Sequence, residues 1–269
     1  MQKFRCVIAK TEREIMDAQR VRAAVYIEEE ALLPASAGVA GREIDDLDYL
    51  DTTVHFLVYS GSEPVGTVRL LRAGVARADG KSLGLDIESK IDLGSLAAPG
   101  VVAGEVTRFC VLRRYRRTGV TAALFAGLRE ESARLGITHW VAGANMETDC
   151  PEDAVLAYRL AFAKNLVSPR FSAEPRDREL PKSPRRRPYY TDEQRRRAMT
   201  GDLSGIELPR TLSLFAAGMG ARFIGPPLFD AHFDIFALPL VAALADIPVP
   251  RARSMERRAP ALLQGETRV

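Results

Sequence analysis

The run EVTRFCVL places Glu105 and Arg108 three residues apart and then opens into RRYRRTGVTAALF. A carboxylate beside a guanidinium can take a proton from a nucleophile and hold an anion next to it. Residues three apart on an ideal strand face opposite sides, so a bulge near Gly104, or twist, is needed for the two to cooperate; Gly104 itself reads as a bulge or a close backbone approach. Downstream, Arg113, Arg114, Arg116 and Arg117 precede Thr118 and Gly119, where a helix is expected to begin. The first amides of a helix have no intrahelical partner and carry its positive end; glycine lets a ligand approach the backbone, and arginine adds charge-assisted contacts. Strand, basic turn and helix in this order read as a phosphate grip, the alternative being a solvated basic turn.

Other charged residues recur at short spacings. GREIDDLDYLD carries Glu43, Asp45 and Asp48, VRLLR carries Arg69, and Arg22 and Tyr26 lie one helical turn apart. Taken alone these are solvated loop charges and a packed helix pair. Cys110, with no histidine near it in sequence, reads as a small buried hydrophobe rather than a nucleophile. His55, His139 and His232 lack metal-ligand spacing, so no metal is expected.

The elements that must position these groups follow from pattern and punctuation. Residues 4–9 read as a strand and Thr11 to about Leu33 as a helix, with Thr11 and Glu14 as a capping box. TVHFLVYSGSEPVGTVRLLRAG is a hairpin, VVAGEVTRFCVL a strand, Thr118–Leu135 a helix stopped by Gly136, and THWVAGAN a strand. A helix from Leu208 to Gly218 and two strands, ARFIG and HFDIFALPL, close the pattern. This order gives an α/β fold with a mixed, mostly antiparallel sheet flanked by helices, not a doubly wound parallel sheet. One domain is expected over 1–247, interrupted by a basic insertion at 148–205 and followed by a charged, mobile tail at 248–269. The 269 residues include three widely spaced cysteines and carry a formal charge of +3, which argues against a disulfide scaffold and is too small to imply nucleic acid. MQKFRCVIAKTERE has no apolar stretch of signal-peptide length, and no run reaches the roughly 18 to 20 apolar residues of a membrane span, so a cytoplasmic location is expected.

RRTGVT, Arg116 to Thr121, resembles the pantetheine loop R/Q-x-x-G-x-G/A of the GNAT acyltransferase superfamily, with Thr121 departing from the final Gly or Ala. The element order is similar over nearly the whole chain outside 148–205 and the tail. Glu43, Asp45 and Asp48, with Arg22, Tyr26, Arg69, Glu105 and Arg108, resemble the autoinducer synthase-like branch, which holds N-acyl amino acid synthases, ornithine lipid acyltransferases and acyl-homoserine lactone synthases. The resemblance implies a fatty acyl group moved from acyl carrier protein to an amine. Glu105 would be the base and Arg108 its catalytic neighbour, Asp45 and Asp48 would bind the acceptor ammonium, Arg69 or Arg108 its carboxylate, and Arg22, Tyr26 and Glu43 would complete the substrate-binding set. Phe109, Val111, Arg113, Arg116, Arg117, Thr118, Gly119 and Thr121 would hold the donor's phosphopantetheine, a co-substrate on carrier protein or coenzyme A rather than a tightly bound cofactor. Trp140, the sole tryptophan, leaves none near Glu29–Leu33, which counts against a lactone synthase using S-adenosylmethionine. Phe215 stands where many acetyltransferases have a tyrosine acid, which disfavours a coenzyme A-dependent acetyltransferase. A non-catalytic module that binds acyl carriers is the remaining alternative.

The insertion is the part the resemblance explains least. Between Arg170 and Arg197 there are ten basic and five acidic residues. Arg185–Arg187 and Arg195–Arg197 read as a docking surface for acidic carrier protein, with contact to an anionic membrane surface and a solvated lid as the other readings, and without nucleic acid. Within the expected fold Phe125, Leu128, Trp140, Phe162, Phe215 and Phe223 would line an acyl cavity or simply form core.

Overall fold

Capping boxes at Thr11 and Thr191 fix where two of the helices start. The computed structural model describes residues 4–74, 83–176 and 186–247. Its elements, in order, are β1 (Phe4–Ile8), α1 (Glu12–Ala23), β2 (Thr53–Ser60), β3 (Glu63–Arg72), β4 (Ile91–Asp92), β5 (Ala103–Val111), α2 (Val120–Arg134), β6 (His139–Asn145), α3 (Pro151–Ala163), β7 (Glu174–Pro175), α4 (Asp192–Met199), α5 (Arg210–Met219), β8 (Arg222–Phe223), β9 (Leu228–Asp230) and β10 (Ile235–Ala243). The tail from Pro248 and Arg185 of the insertion lie outside the described residues. The architecture is the expected mixed α/β one, with mostly antiparallel strands and flanking helices. The chain divides into two compact units: residues up to Arg72 with Gly104–Ile137, and Ala73–Ala103 with Thr138–Ile247.

In the first unit β1, β2, β3 and β5 pair in that order, all antiparallel. Leu57 packs with Ala18 of α1, whereas its neighbour Phe56 lies against Gly127 of α2. Successive strand residues point to opposite faces, so α1 and α2 cover opposite faces of this sheet. The Thr11 capping box fixes the start of α1: the Thr11 hydroxyl accepts from the Glu14 N–H, and the Glu14 carboxylate accepts from the Thr11 N–H at 3.1 Å. The helix does not run to Leu33. Regular α-bonding stops at Ala23 and the chain continues as a π-turn over Ala24–Glu29, where branched and aromatic Val25, Tyr26 and Ile27 disfavour the α-helix.

Gly104 marks a close approach, not a bulge. A Cβ there would meet Ile137 Cδ1 at 2.9 Å and Leu70 Cδ1 at 3.1 Å, and its pairing with Arg72 is regular. The bulge falls four residues later. Thr67 pairs with Cys110 and Arg69 with Thr107, so Arg108 and Phe109 together oppose Val68.

In the second unit β6, β10 and β8 pair antiparallel, with β9 also on β10. Ile91, Leu93, Leu96, Val141, Phe171 and Ile224 belong to its core. Trp140 and Phe223 are buried here, as Phe125 and Leu128 are in the first unit. Phe162, by contrast, is exposed on α3. The described part of the insertion is folded, and several of its arginines are paired. Asp153 accepts from Arg195 Nε at 2.6 Å and from the Tyr189 N–H at 2.6 Å, while Arg186 pairs with Asp234, Arg196 with Glu193 and Arg197 with Asp202.

Candidate functional site

Six charged side chains of the first unit close into a ring of alternating sign. Arg22 grips Asp48 with both terminal nitrogens, Nη1 to Oδ1 at 2.7 Å and Nη2 to Oδ2 at 2.6 Å. Asp48 Oδ1 also accepts from Arg69 Nη1 at 3.0 Å, and Arg69 Nη2 donates to Asp45 Oδ2 at 3.2 Å. The same Asp45 oxygen accepts from Arg108 Nη2 at 2.5 Å, Arg108 Nε lies 3.3 Å from Glu43 Oε1, and Glu43 Oε2 pairs with Arg22 Nε to complete the circuit. Three arginines face three carboxylates, so the ring is neutral as a whole. Side-chain exposure is 13% at Asp45 and Arg108 and at most 2% at the other four, which leaves one accessible link. Of the sequence-predicted acceptor set, Arg22, Glu43, Asp45, Asp48 and Arg69 are brought together with Arg108, whereas Tyr26 forms none of the ring's links, and the members divide the labour. Arg22, Glu43, Asp48 and Arg69 are enclosed and hold the site, while Asp45 and Arg108 are its open edge.

The β5 bulge makes this possible. Arg108 has φ +54°, a left-handed conformation uncommon for a residue with a Cβ and one that concentrates at functional sites. Directly opposed residues of an antiparallel pair share a face. Glu105 opposes Leu71 and Thr107 opposes Arg69, so Glu105 lies on the ring's face. In a regular strand Arg108 would leave that face. The bulge returns it to Asp45, meeting the requirement for Glu105 and Arg108 to act on one side, although at Arg108 rather than Gly104. Glu105 itself is buried.

Three residues that the sequence did not single out brace the ring. Gln19, one turn before Arg22, donates to Asp48 Oδ2 at 3.0 Å and to Tyr49 Oη at 3.1 Å. Thr107 Oγ1 accepts from Arg69 Nε at 3.0 Å. His55 Nε2 lies 2.9 Å from the Asp48 carbonyl oxygen; a carbonyl only accepts, so Nε2 carries the proton. Burial lowers the His55 pKa and keeps the ring neutral. Helical spacing with Arg22 was the available signal for Gln19. His55 stood in an apolar strand with nothing to mark its partner.

Tyr26 hydrogen-bonds Cys110, and burial pushes its phenol well above the ordinary value. Burial pushes the Cys110 thiol up to about 12. A thiol held neutral is a poor nucleophile. Native protein at pH 8 is therefore expected to leave Cys110 unmodified by iodoacetamide, with labelling only in denaturant; peptide mass spectrometry reads the result, and rapid native labelling of Cys110 would contradict it.

The basic turn divides as well. α2 begins at Val120, not Thr118, and Gly119 precedes it at φ +109°, which a β-carbon would strain. No side chain caps this helix start. Arg113 and Arg116 are engaged elsewhere: the Glu29 carboxylate accepts from the Arg113 N–H at 2.9 Å, and Arg116 pairs with Glu29 at 3.3 Å and Glu30 at 2.8 Å. Arg114 pairs with Glu63. Arg117 has no ion pair among the described residues, and Thr118 and Thr121 flank the glycine. Phe109 stacks on Phe125, and the Val111 carbonyl accepts from Arg116 Nε at 3.1 Å.

With this geometry in place, the comparisons with known proteins fall on the same stretch. Residues 17–148 match the family described as N-acyl amino acid synthase FeeM. Every ring member, Glu105 and the turn through Thr121 lie inside that match. The chain is 38% identical over 130 residues to the L-ornithine N(alpha)-acyltransferase of Agrobacterium fabrum, covering 45% of this chain and 43% of that protein. The chain thus spans under half the length of that relative. An uncharacterized N-acetyltransferase of Bacillus subtilis, YjcF, is 27% identical over 144 residues, 54% of this chain and 78% of that one. Among solved structures, the FeeM N-acyl amino acid synthase from uncultured soil microbes superposes with TM-score 0.51 at 14% identity, over 95% and 96% of the two chains. The coenzyme A-dependent acyl-homoserine lactone synthase MesI does so with TM-score 0.50 at 14% identity, over 97% and 100%. At such identities these two establish the fold. Among the described residues no helix is long and apolar enough to cross a membrane.

Proposed function

We propose that the chain is an N-acyltransferase that moves a fatty acyl group from acyl carrier protein to the amine of an amino acid. The observation that carries this reading is the charge ring: a carboxylate and a guanidinium left accessible at one edge, inside the segment that matches the FeeM family. Transfer needs a deprotonated amine, stabilisation of the thioester oxygen and alignment of both reactants. Glu105 takes the proton from the acceptor. The amine then attacks the thioester carbon; the C–N bond forms, the C–S bond breaks, and the thiolate leaves to be protonated. Backbone amides around Phe109–Val111, beside the bulge, hold the thioester carbonyl, and the uncapped start of α2 with Arg117, Thr118, Gly119 and Thr121 receives the phosphate.

The carrier protein as donor rests on exposed cations. Arg196 and Arg197 pair with Glu193 and Asp202 at the surface. Such pairs are worth about 0–1 kcal/mol, so an acidic partner can replace them. A lactone product has no separate observation in its favour. The test is mass spectrometry of lipid extracts from cells expressing the protein. New N-acyl amino acids are expected and would name acceptor and chain length; acyl lactones, or no new acyl amide with folded protein present, would overturn the reading.

A further inference from the structure

The ring's accessible link has a property the others lack: both its members reach solvent, at 13% side-chain exposure each, and each keeps a second anchor when it opens. Arg108 stays beside Glu43 through Nε at 3.3 Å. Asp45 keeps Arg69 Nη2 at 3.2 Å, and its other oxygen accepts from the Leu47 N–H at 2.7 Å. Breaking Asp45–Arg108 therefore frees one donor and one acceptor without releasing either side chain. Breaking any other link would expose a charge at an enclosed position, where nothing can replace the lost partner.

The geometry points to link exchange as the mode of acceptor recognition, an inference that rests on the proposed function. The acceptor inserts between Asp45 and Arg108, its carboxylate on Arg108 Nη2 and its ammonium on Asp45 Oδ2, so the ring of six charges becomes a neutral ring of eight. Recognition is thereby for a zwitterion. A plain amine would pair with Asp45 and leave Arg108 with one partner fewer; a plain carboxylate would do the reverse. The left-handed Arg108 is part of the device, because its bulge aims Nη2 at Asp45 instead of across the sheet. Exchange also acts on Asp45. Burial pushes its carboxyl up, and Arg69 with Arg108 more than reverse this to hold it below the ordinary range. When Arg108 turns to the acceptor's carboxylate, the ammonium takes its place beside Asp45.

The test uses the full chain and reads binding apart from catalysis. The probes are free amino acids, L-ornithine included, each alongside its amide and its decarboxylated amine, titrated by calorimetry or ligand-observed NMR. Whichever amino acid binds should do so about tenfold or more tightly than its amide or amine, the least expected for one lost charge-assisted hydrogen bond. Arg108→Gln should remove that preference, Arg108→Lys should restore part of it, and Asp46→Asn, an exposed neighbour outside the ring, should leave it intact. Thermal melts of each variant separate lost recognition from lost fold. Equal binding of amide, amine and amino acid, or a preference that survives Arg108→Gln, would overturn link exchange. A zwitterion that binds but is never acylated would sink the proposed function and leave the exchange standing; acylation of carboxylate-free amines as efficient as that of amino acids would do the opposite.

Discussion

Asp48→Ala is expected to destabilise the protein by about 3–5 kcal/mol, the range for removing one partner of a buried ion pair. Asp48 accepts four side-chain hydrogen bonds, two from Arg22, one from Arg69 and one from Gln19. Truncation leaves two enclosed guanidinium groups facing a void with the same charge. A typical domain has about 5–15 kcal/mol in all, so this single change approaches loss of the fold. Urea unfolding reads it as a lower midpoint at unchanged slope. Asp48→Asn keeps the shape and one acceptor and should lose less. A loss below about 1 kcal/mol for Asp48→Ala would mean that the ring tolerates a missing member, as surface ion pairs do.

The same carboxylate sets an acid limit. Burial raises its pKa, but hydrogen bonds and charge from Arg22, with Gln19, outweigh this and bring it from an ordinary 3.8 to about 2. A carboxyl depressed in the folded state contributes stability that is fully present above its unfolded value and is lost as the pH falls through the folded one. The contribution is about 2 kcal/mol, and it goes between roughly pH 4 and pH 2. His55 acts in the same direction at higher pH: its folded pKa is lowered from 6.5, so below that value the unfolded chain takes up its proton first and stability declines.

Local features were legible in the sequence, and long-range pairings were not. The Thr11 box, the β2–β3 hairpin and the Gly136 stop are written in neighbouring residues. The ring members were recognisable by type, yet their partners lie 21 to 65 residues away, and no local pattern assigns them. Asp48 and Arg22 looked like ligand contacts for that reason, although burial makes them supports. Gly104 was read as a bulge or a close backbone approach, because glycine is the residue that relaxes backbone rules, and the close approach is what the structure has there; the bulge lies elsewhere. It formed instead at Arg108, where a guanidinium with five N–H donors faces the Glu43 and Asp45 carboxylates, contacts that offset a left-handed backbone. The arginine-rich stretches were read by composition as a free basic surface. Glu193 three residues before Arg196, Asp192 three before Arg195 and Asp202 five after Arg197 were in plain view, and they pair as spacing on a short helix and its exit permits.

Glu105→Gln is expected to lower kcat by about a hundredfold to ten-thousandfold, the contribution of a positioned general base. The acceptor KM should stay within a few-fold. Glutamine keeps the size and the hydrogen-bonding oxygen of the side chain but cannot take a proton, and none of the six links that close the ring runs through Glu105, so the acceptor's charges still find Asp45 and Arg108. The split between kcat and KM is what separates a base from a support. A support would loosen the ring, raise KM and lower the melting temperature, as Asp48 substitutions should. If turnover stays within tenfold and its acid limb persists, the proton goes elsewhere on that face of the sheet. Asp45 then becomes the base to test, because it is the ring carboxylate that an acceptor can reach and link exchange frees it from one of its two arginines.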